Sequence, residues 1–267
     1  MTAVLTDAPV LDTSATRPIS FARLVRVELR RMADTRAGLW LLISMGLLTA
    51  LVMVIMTWVL LAQDLRPTFR DFMIGMSTPM GVLLPVLGIL GVTQEWSQRT
   101  ALVSFTLVPS RMRLFSAKFV ALLVWAAAAL VVGLLLAVAA NAVFAALGGD
   151  AAVWDMGAGD LALFFLLHVF GLATGFAFGA LLLNSAGAIV VYFVYSFVLP
   201  GLFEVGANLM EWFSKLRPWI DFNAAQSPLT EGSVSGREWQ YLAVSGLLWL
   251  VVPLLVGVRR VLRSEVK

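Results

Sequence analysis

The chain has 267 residues, of which 60% are hydrophobic and only 13% are charged, and its formal net charge is +3. A soluble globular domain carries about 25% charged residues, so this composition is typical of an integral membrane protein. The sequence has no cysteine, which excludes disulfides, thiol catalysis and cysteine metal sites, and its single histidine, His168, excludes a multi-histidine metal cluster.

The first segment, residues 1–18, is predicted to be a disordered cytoplasmic tail. Residues 1–16 contain no Lys or Arg, two Asp residues interrupt them, and no apolar run of signal-peptide type follows. Thr, Ala and Asp are frequent there, a composition that favours disorder. We therefore expect the first membrane span to act as the insertion signal.

Residues 19–36 are predicted to form an amphipathic helix, with Ser20 as a suitable N-cap. The apolar face comprises Phe21, Val25, Leu29 and Met32. The opposite face is mostly basic and comprises Arg23, Arg26, Arg30 and Asp34. Such a helix directly before a span is typical of the lipid headgroup layer. The simpler interpretation is a positively charged flank that fixes the orientation of the first span.

Charge-free windows locate the membrane spans. They cover residues 37–63, 72–94, 119–149, 161–203 and 239–258. A span needs about 20 residues, so the window at 161–203 suits two spans, and the turn formers at 184–187 mark the predicted break. The sequence therefore predicts an all-α membrane domain of six spans over residues 37–262, followed by a cytoplasmic C-terminus at 263–267.

The charge distribution predicts the orientation. Six spans place both termini on one side, together with 14 of the 19 Lys and Arg but only 6 of the 16 Asp and Glu. Lys and Arg are concentrated in cytoplasmic loops, so we expect both termini and the basic loop from Glu95 to Lys118 to be cytoplasmic. Five spans would place the basic C-terminus outside and weaken this asymmetry.

The loop between the fifth and sixth spans is predicted to contain a helix. Its apolar stripe comprises Val205, Leu209, Trp212, Phe213 and Leu216. Pro218 is expected to end this helix. We interpret it as a re-entrant helix or as one that lies on the outer face of the membrane. The alternative is an ordinary interfacial helix without a role in transport.

Small residues predict close helix contacts in two spans. The ridges are Gly171, Gly175 and Gly179 in the fourth span and Ala129, Gly133 and Ala137 in the third. Such ridges let two helix backbones approach closely within a membrane. Whether these contacts lie within one chain or between two copies is left open.

The sequence lacks the common motifs of nucleotide binding and hydrolysis. It has no GxxxxGK[ST] phosphate loop, no HExxH and no GxSxG. No span centre carries a carboxylate, Lys or Arg, although an ion-driven carrier normally keeps such a group as a relay. His168 is the sole candidate relay, and a hydrogen bond between helices is its alternative role. We therefore expect no catalytic or metal-binding residues, and a membrane protein that takes its energy from a partner.

The basic loop resembles the signature of a transporter family. The segments that carry the likeness are Glu95-Trp96, Arg99-Thr100, Leu107-Val108-Pro109-Ser110-Arg111 and Lys118. They resemble the EW…GT…L…P.SR…K pattern of type-2 permeases of ABC transporters, the membrane subunits of bacterial ABC exporters. Arg99 stands where Gly is common. Residues 27–36 are similar to the amphipathic entry of this family, and residues 248–267 are similar to its actinobacterial members.

The resemblance implies a homodimer of permeases in the bacterial plasma membrane, with two separate ABC ATPase subunits beneath it. ATP and magnesium are expected on those subunits and no cofactor in this chain; membrane lipids are expected partners and nucleic acid is not. The residues expected to couple to the ATPase are Glu95, Trp96, Arg99, Thr100, Pro109, Arg111, Glu28 and Arg30. Glu95 is expected to pair with Arg99, Arg111 or a residue of the partner, and a solvated helix end is its alternative role.

Spans two and five are expected to line the substrate path. The predicted path residues are Met73, Met76, Met80, Tyr192, Tyr195 and Ser196. Flexible methionines with a few hydroxyls suit varied hydrophobic ligands, whereas packing or lipid contact is the alternative role. We expect outward transport of a hydrophobic drug, antibiotic or lipid-like substrate by alternating access. The alternatives are export of a lipid-linked glycan or peptide, a secondary carrier, and a membrane scaffold.

Overall fold

The fold is described by a computed structural model for residues 19–98, 106, 108, 110–148 and 151–263. These residues are 88% helical and include no strand. Six of their helices are long and apolar enough to cross a membrane. The predicted class, an all-α protein with six membrane-length helices, is confirmed.

A short helix precedes the six long ones. It is α1 (Phe21–Asp34), and α2 (Arg36–Ala62), α3 (Phe69–Ser97), α4 (Arg111–Gly148), α5 (Ala158–Leu182) and α6 (Ser185–Leu209) follow it. Three short helices follow: α7 (Glu211–Ile220), α8 (Phe222–Ala225) and α9 (Pro228–Glu231). The last long helix is α10 (Gly236–Arg263). π-helical stretches occupy Val194–Val198 within α6 and Leu247–Val251 within α10.

The predicted helix boundaries are largely confirmed. The Ser20 side chain caps α1 by accepting a hydrogen bond from the Arg23 N–H. Leu183 adopts a left-handed conformation with φ 53° and ends α5, and the Asn184 side chain accepts a hydrogen bond of 2.8 Å from the Gly187 N–H to start α6. Helices α3, α5 and α10 begin before their charge-free windows because the N-caps Thr68, Gly157 and Ser235, rather than the first charged residue, set their starts.

The connection from α6 to α10 differs from the prediction. The apolar stripe is divided between α6 and α7 at Met210, whose φ of −134° and ψ of 113° are extended rather than helical. Pro218 was expected to end the helix, but α7 continues to Ile220, so that prediction is wrong. Pro218 removes only one backbone donor. The last turn is still closed by the Asp221 N–H, which donates to the Arg217 carbonyl at 2.8 Å.

Glycines allow α3 and α5 to touch backbone to backbone. A Cβ added at Gly175 would overlap the Pro85 carbonyl, and one added at Gly88 would overlap the Leu172 carbonyl. Gly171 and Gly179 face Pro85 and Ile89. We call Gly88, Gly171, Gly175 and Gly179 the glycine seam. The ridge predicted on the fourth span therefore packs within the chain, and Gly133 of the third-span ridge likewise packs against Met76 and Met80.

The bundle has two chemically different ends. The basic end contains α1, the end of α3, the start of α4 and the end of α10, where Arg111 contacts α10 and Arg113 contacts the start of α1. The acidic end contains the start of α3, residues 151–157, the start of α5, helices α7 to α9 and the start of α10; there Arg70 contacts Asp155 and Asp160, and Trp219 contacts Tyr241. These names are kept below.

Candidate functional site

Four charged side chains meet at the basic end, where α1 lies against α3 and α4. Lys118 of α4 places its Nζ 3.0 Å from Glu28 Oε2 on α1 and 3.0 Å from Glu95 Oε1 on α3. Arg31 of α1 also pairs with Glu95. We call these four residues the charge cluster.

Three of the four side chains of the charge cluster are buried. The side chains of Glu28, Glu95 and Lys118 are 8%, 3% and 7% exposed, and that of Arg31 is 27% exposed. Two carboxylates face two cations, so the formal charges cancel, which is the condition under which ions tolerate burial. A cavity of about 10 Å³ beside the four residues has the volume of about one water molecule. Removing Lys118 would take away the cation that both buried carboxylates contact.

The sequence of α1 explains how it contributes two members. Glu28 and Arg31 are three residues apart and therefore share a helix face. The buried residues of α1 are Leu24, Glu28 and Met32, whereas Phe21, a member of the predicted apolar face, is 40% exposed. The inward face is thus rotated from the purely apolar one, because Glu28 turns towards Lys118.

Hydrogen bonds to backbone carbonyls also attach α1 and the residue before its N-cap to α4. The Trp125 indole N–H donates to the Leu29 carbonyl at 3.2 Å, and Arg113 donates to the Ile19 carbonyl at 2.8 Å. Together with the charge cluster, these bonds hold α1 along its length. A displacement of α1 would therefore be transmitted to α3 and α4.

Arginines connect the remaining helix ends at the basic end. Arg111 donates to the Val261 and Leu262 carbonyls at 3.1 and 3.2 Å, and Arg260 donates to the Leu181 carbonyl at 2.6 Å. Cations are favourable at helix C-termini, where carbonyls lack helical partners. These bonds join α4 to α10 and α10 to α5.

The structure brings several predicted coupling residues together. Glu95, Trp96 and Arg111 line one small cavity with Lys118, and Glu28 lies on the other side of Lys118. Arg30 is exposed on the outward side of α1. The other three predicted coupling residues lie outside the described residues: Arg99, Thr100 and Pro109.

Sequence reasoning missed two members of the charge cluster. Glu95 pairs with Arg31 and Lys118, neither of which was among its predicted partners. One signal was available, because Lys118 lies inside a long helix and immediately precedes an apolar run. A lysine in that setting needs a carboxylate partner.

A second candidate site contains four of the six predicted path residues. Met80, Tyr192, Tyr195 and Ser196 line a cavity of about 180 Å³ between α3, α5, α6 and α8. The other two path residues, Met73 and Met76, are buried in the hydrophobic core, away from the described lining of this cavity. A role of these residues in transport stays a prediction.

His168 also lines this cavity and connects α5 to α3. Its Nδ1 lies 2.8 Å from the Phe164 carbonyl oxygen, and its Nε2 lies 3.5 Å from the Ser77 hydroxyl. The residue is 3% exposed. This geometry fits the interhelical hydrogen bond that was the alternative to a relay. Within the described ranges, no three His, Asp or Glu side chains are placed to hold a metal ion.

Comparison with known proteins adds no assignment. No protein-family model matches the chain, and no curated protein matches it significantly.

Proposed function

We propose that this chain is the membrane subunit of an ATP-driven exporter of the type-2 ABC class, worked by a separate ATPase subunit at the basic end. The observation that carries the proposal is the charge cluster, which joins α1 to two membrane-length helices through buried ion pairs. The family resemblance of the loop from Glu95 to Lys118 points to the same end of the bundle.

The charge cluster suits a mechanical junction. Separating α1 from α3 and α4 would expose or leave unpaired several buried charges, which costs more than breaking exposed pairs. A partner that pushes on α1 would therefore move α3 and α4 with it. In the proposed cycle, ATP binding draws two ATPase subunits together, α1 moves with them, and α3 and α6 shift to pass the substrate outward.

The orientation follows from the same proposal. With the basic end in the cytoplasm, Arg23, Arg26 and Arg30 of α1 are exposed on the side that a soluble subunit would reach. This placement agrees with the preference of Lys and Arg for cytoplasmic loops. In this arrangement the chain resides in the bacterial plasma membrane, with both termini inside.

A self-powered carrier has less support. Among the described residues, the buried carboxylates Glu28 and Glu95 lie at the basic end and Asp221 at the acidic end. Each is paired with a cation or caps a helix. A relay carboxylate near the middle of a span is the usual mark of a proton- or ion-driven carrier.

The test begins with the assembly. The affinity-tagged chain is purified from its native cells, and a co-purifying protein with ATPase activity and a phosphate-loop motif is expected. Substrate-stimulated ATPase activity and export are then compared between wild type and Glu95→Gln, which keeps the volume of the side chain. Glu95→Gln should lower both by about tenfold or more, while membrane insertion, followed by protease protection, stays normal.

A second test reverses the charge of two exposed arginines and measures binding of the ATPase subunit. Arg30→Glu reverses an exposed charge on α1, and Arg237→Glu reverses an exposed charge at the acidic end. Arg30→Glu should weaken co-purification of the ATPase, and Arg237→Glu should not. Pumping by the purified chain alone, without nucleotide, would contradict the proposal, as would normal export and ATPase stimulation in Glu95→Gln.

A further inference from the structure

The cavity between α3, α5, α6 and α8 has walls of mixed character. Polar side chains from three elements line it, among them His168, Tyr192, Ser196 and Gln226, beside apolar Met80 and Leu167. None of its described lining residues is charged. A groove of about 410 Å³ between α2 and α4 differs, because Thr57 is the one polar residue in its described lining. The groove suits a lipid chain, whereas the cavity suits a molecule with both polar and apolar parts.

The proline at position 85 of α3 leaves a hydrogen-bond acceptor at the cavity. Pro85 has no N–H, so the Gly81 carbonyl, four residues earlier, loses its helical partner. The Tyr192 hydroxyl from α6 donates to this carbonyl, at the long distance of 3.4 Å. A carbonyl oxygen has two lone pairs, so Gly81 retains capacity for a second donor.

The π-helical stretch of α6 carries a buried hydroxyl, unpaired within the described part of the chain, on a residue that lines the cavity. Tyr195 lies in this stretch, lines the cavity and is 5% exposed, and its hydroxyl has no hydrogen-bond partner among the described residues. Its ring packs against Trp249, with centroids 4.9 Å apart, which fixes its position. An unpaired buried hydroxyl is costly, so a ligand that pairs with it would gain affinity. π-Helical stretches occur frequently at functional sites.

Volume and charge define the ligand. The cavity measures about 180 Å³, and a protein cavity of about 150 Å³ is large enough for a benzene ring. A charged ligand would enter without a counter-charge among the described lining residues, which is unfavourable away from water. The chemistry therefore favours an uncharged compound with one ring and one group that can both donate and accept a hydrogen bond.

We infer that this cavity is a binding site for a small uncharged ring compound that carries a hydroxyl or primary amide group, held between the Tyr195 hydroxyl and the Gly81 carbonyl. That this compound class is the cargo rests on the proposed exporter function; the binding site itself does not. The α8 segment covers the ligand, because Asn223 of α8 lines the cavity and donates to the Tyr195 carbonyl at 3.4 Å.

The test measures binding to the chain alone in lipid nanodiscs, without nucleotide. Fluorine NMR follows 4-fluorobenzyl alcohol, which has one ring and one hydroxyl. Two analogues isolate the chemistry: 4-fluorotoluene lacks the hydroxyl and 4-fluorobenzoate is charged. Empty nanodiscs provide the background from partition into lipid. The alcohol should bind about three- to tenfold more tightly than fluorotoluene, as expected for a gained hydrogen bond, and fluorobenzoate should not bind.

Three variants test whether the alcohol binds inside the cavity. Tyr195→Phe should weaken binding of the alcohol about three- to tenfold and leave that of fluorotoluene unchanged. Ser196→Phe, which fills the cavity from a half-buried position, should abolish both. Tyr241→Phe removes a tyrosine hydroxyl away from the described cavity lining and should change neither.

Each outcome decides one proposal. If the alcohol and fluorotoluene bind equally, or if Ser196→Phe binds the alcohol like wild type, the inferred site is wrong. In that case the proposed ATPase coupling would be unaffected. If the alcohol binds as expected but no ATPase co-purifies with the chain, the site stands and the exporter function fails.

Discussion

The two ends of the bundle use charge in opposite ways. At the basic end, the side chains of Glu28, Glu95 and Lys118 are at most 8% exposed, and Lys118 contacts both carboxylates directly. At the acidic end, Arg70 lies beside Asp155 and Asp160, and these side chains are 21%, 31% and 23% exposed. Similar residue types therefore form buried ion pairs at the basic end and partly hydrated ion pairs around Arg70 at the acidic end.

This difference determines how easily each end opens. Water can replace a lost partner of Arg70, so its ion pairs with Asp155 and Asp160 contribute little stability and separate at little cost. Water reaches the charge cluster much less, so separating its members leaves charges uncompensated. In the proposed exporter, the end that receives force would stay intact while the other end opens.

The largest expected effect is loss of Lys118. Lys118→Met leaves Glu28 and Glu95 near each other without the cation between them, and we expect a loss of about 3–5 kcal/mol in the free energy of unfolding. Denaturant unfolding in detergent micelles measures it. Lys215→Met is the matched control, because the Lys215–Glu211 pair is 75% and 86% exposed, and it should change stability by less than about 0.5 kcal/mol.

The comparison between the ends would fail if the two lysine variants behaved alike. Equal small losses would mean that water solvates the charge cluster despite its burial. Equal large losses would mean that exposed pairs at the acidic end matter as much as buried ones. A triple replacement of Glu28, Glu95 and Lys118 by Leu, Leu and Met should recover part of the stability lost in Lys118→Met, because no unpaired charge remains among the three.

The sequence predicted what depends on local pattern. Six spans follow from apolar length, the α5–α6 break follows from Asn184 and Gly187, and the Gly171–Gly175–Gly179 ridge indicates a close contact. The charge cluster is different, since Lys118 and Glu28 are 90 residues apart. Their meeting depends on how α1 is rotated against α4, which no single-helix pattern specifies.

The cavity and α7 show two further limits. Tyr192, Tyr195 and Ser196 line the cavity together, but the π-helical stretch of α6 that carries two of them is not predicted, because hydropathy does not signal such a stretch. Pro218 was predicted to end the helix, as a proline within a helix usually does. It was overridden because the neighbouring backbone bonds of α7 form on both sides of it.

The second prediction concerns the glycine seam, which connects the two ends. A methyl group at Gly175 would overlap the Pro85 carbonyl, a backbone atom that cannot rotate away. We expect Gly175→Ala to cost about 1–3 kcal/mol, because α3 and α5 must separate. Gly46→Ala on α2 has open space around its Cβ and should be neutral or stabilising by up to about 1 kcal/mol, since alanine favours helix.

If Gly175→Ala and Gly46→Ala were equally harmless, the close approach of α3 and α5 would be wrong. Thermal unfolding of both variants in the same detergent decides this. A loss of thermal stability confined to Gly175→Ala would also support a connection between the two ends through the glycine seam. The seam packs α3, which carries Glu95 at the basic end, against α5, which carries Asp160 at the acidic end.

The smallest effect is expected at the acidic end, from Arg70→Gln. Arg70 donates to the Thr230 carbonyl at 2.8 Å and approaches Asp160 at 3.2 Å, so it fastens α9 to the starts of α3 and α5. Because these partners are partly hydrated, global stability should hardly change. The local opening of residues 228–232 should become about two- to fivefold more frequent, since one modest set of contacts is lost. Amide hydrogen exchange resolves such local opening.

The control for Arg70→Gln is Arg237→Gln, an exposed change at the same end, which should leave exchange at 228–232 unaltered. Unchanged exchange in Arg70→Gln would show that α9 is held by its buried Leu229 rather than by charge. Global unfolding of Arg70→Gln would instead remove the contrast between buried ion pairs at the basic end and partly hydrated ion pairs at the acidic end.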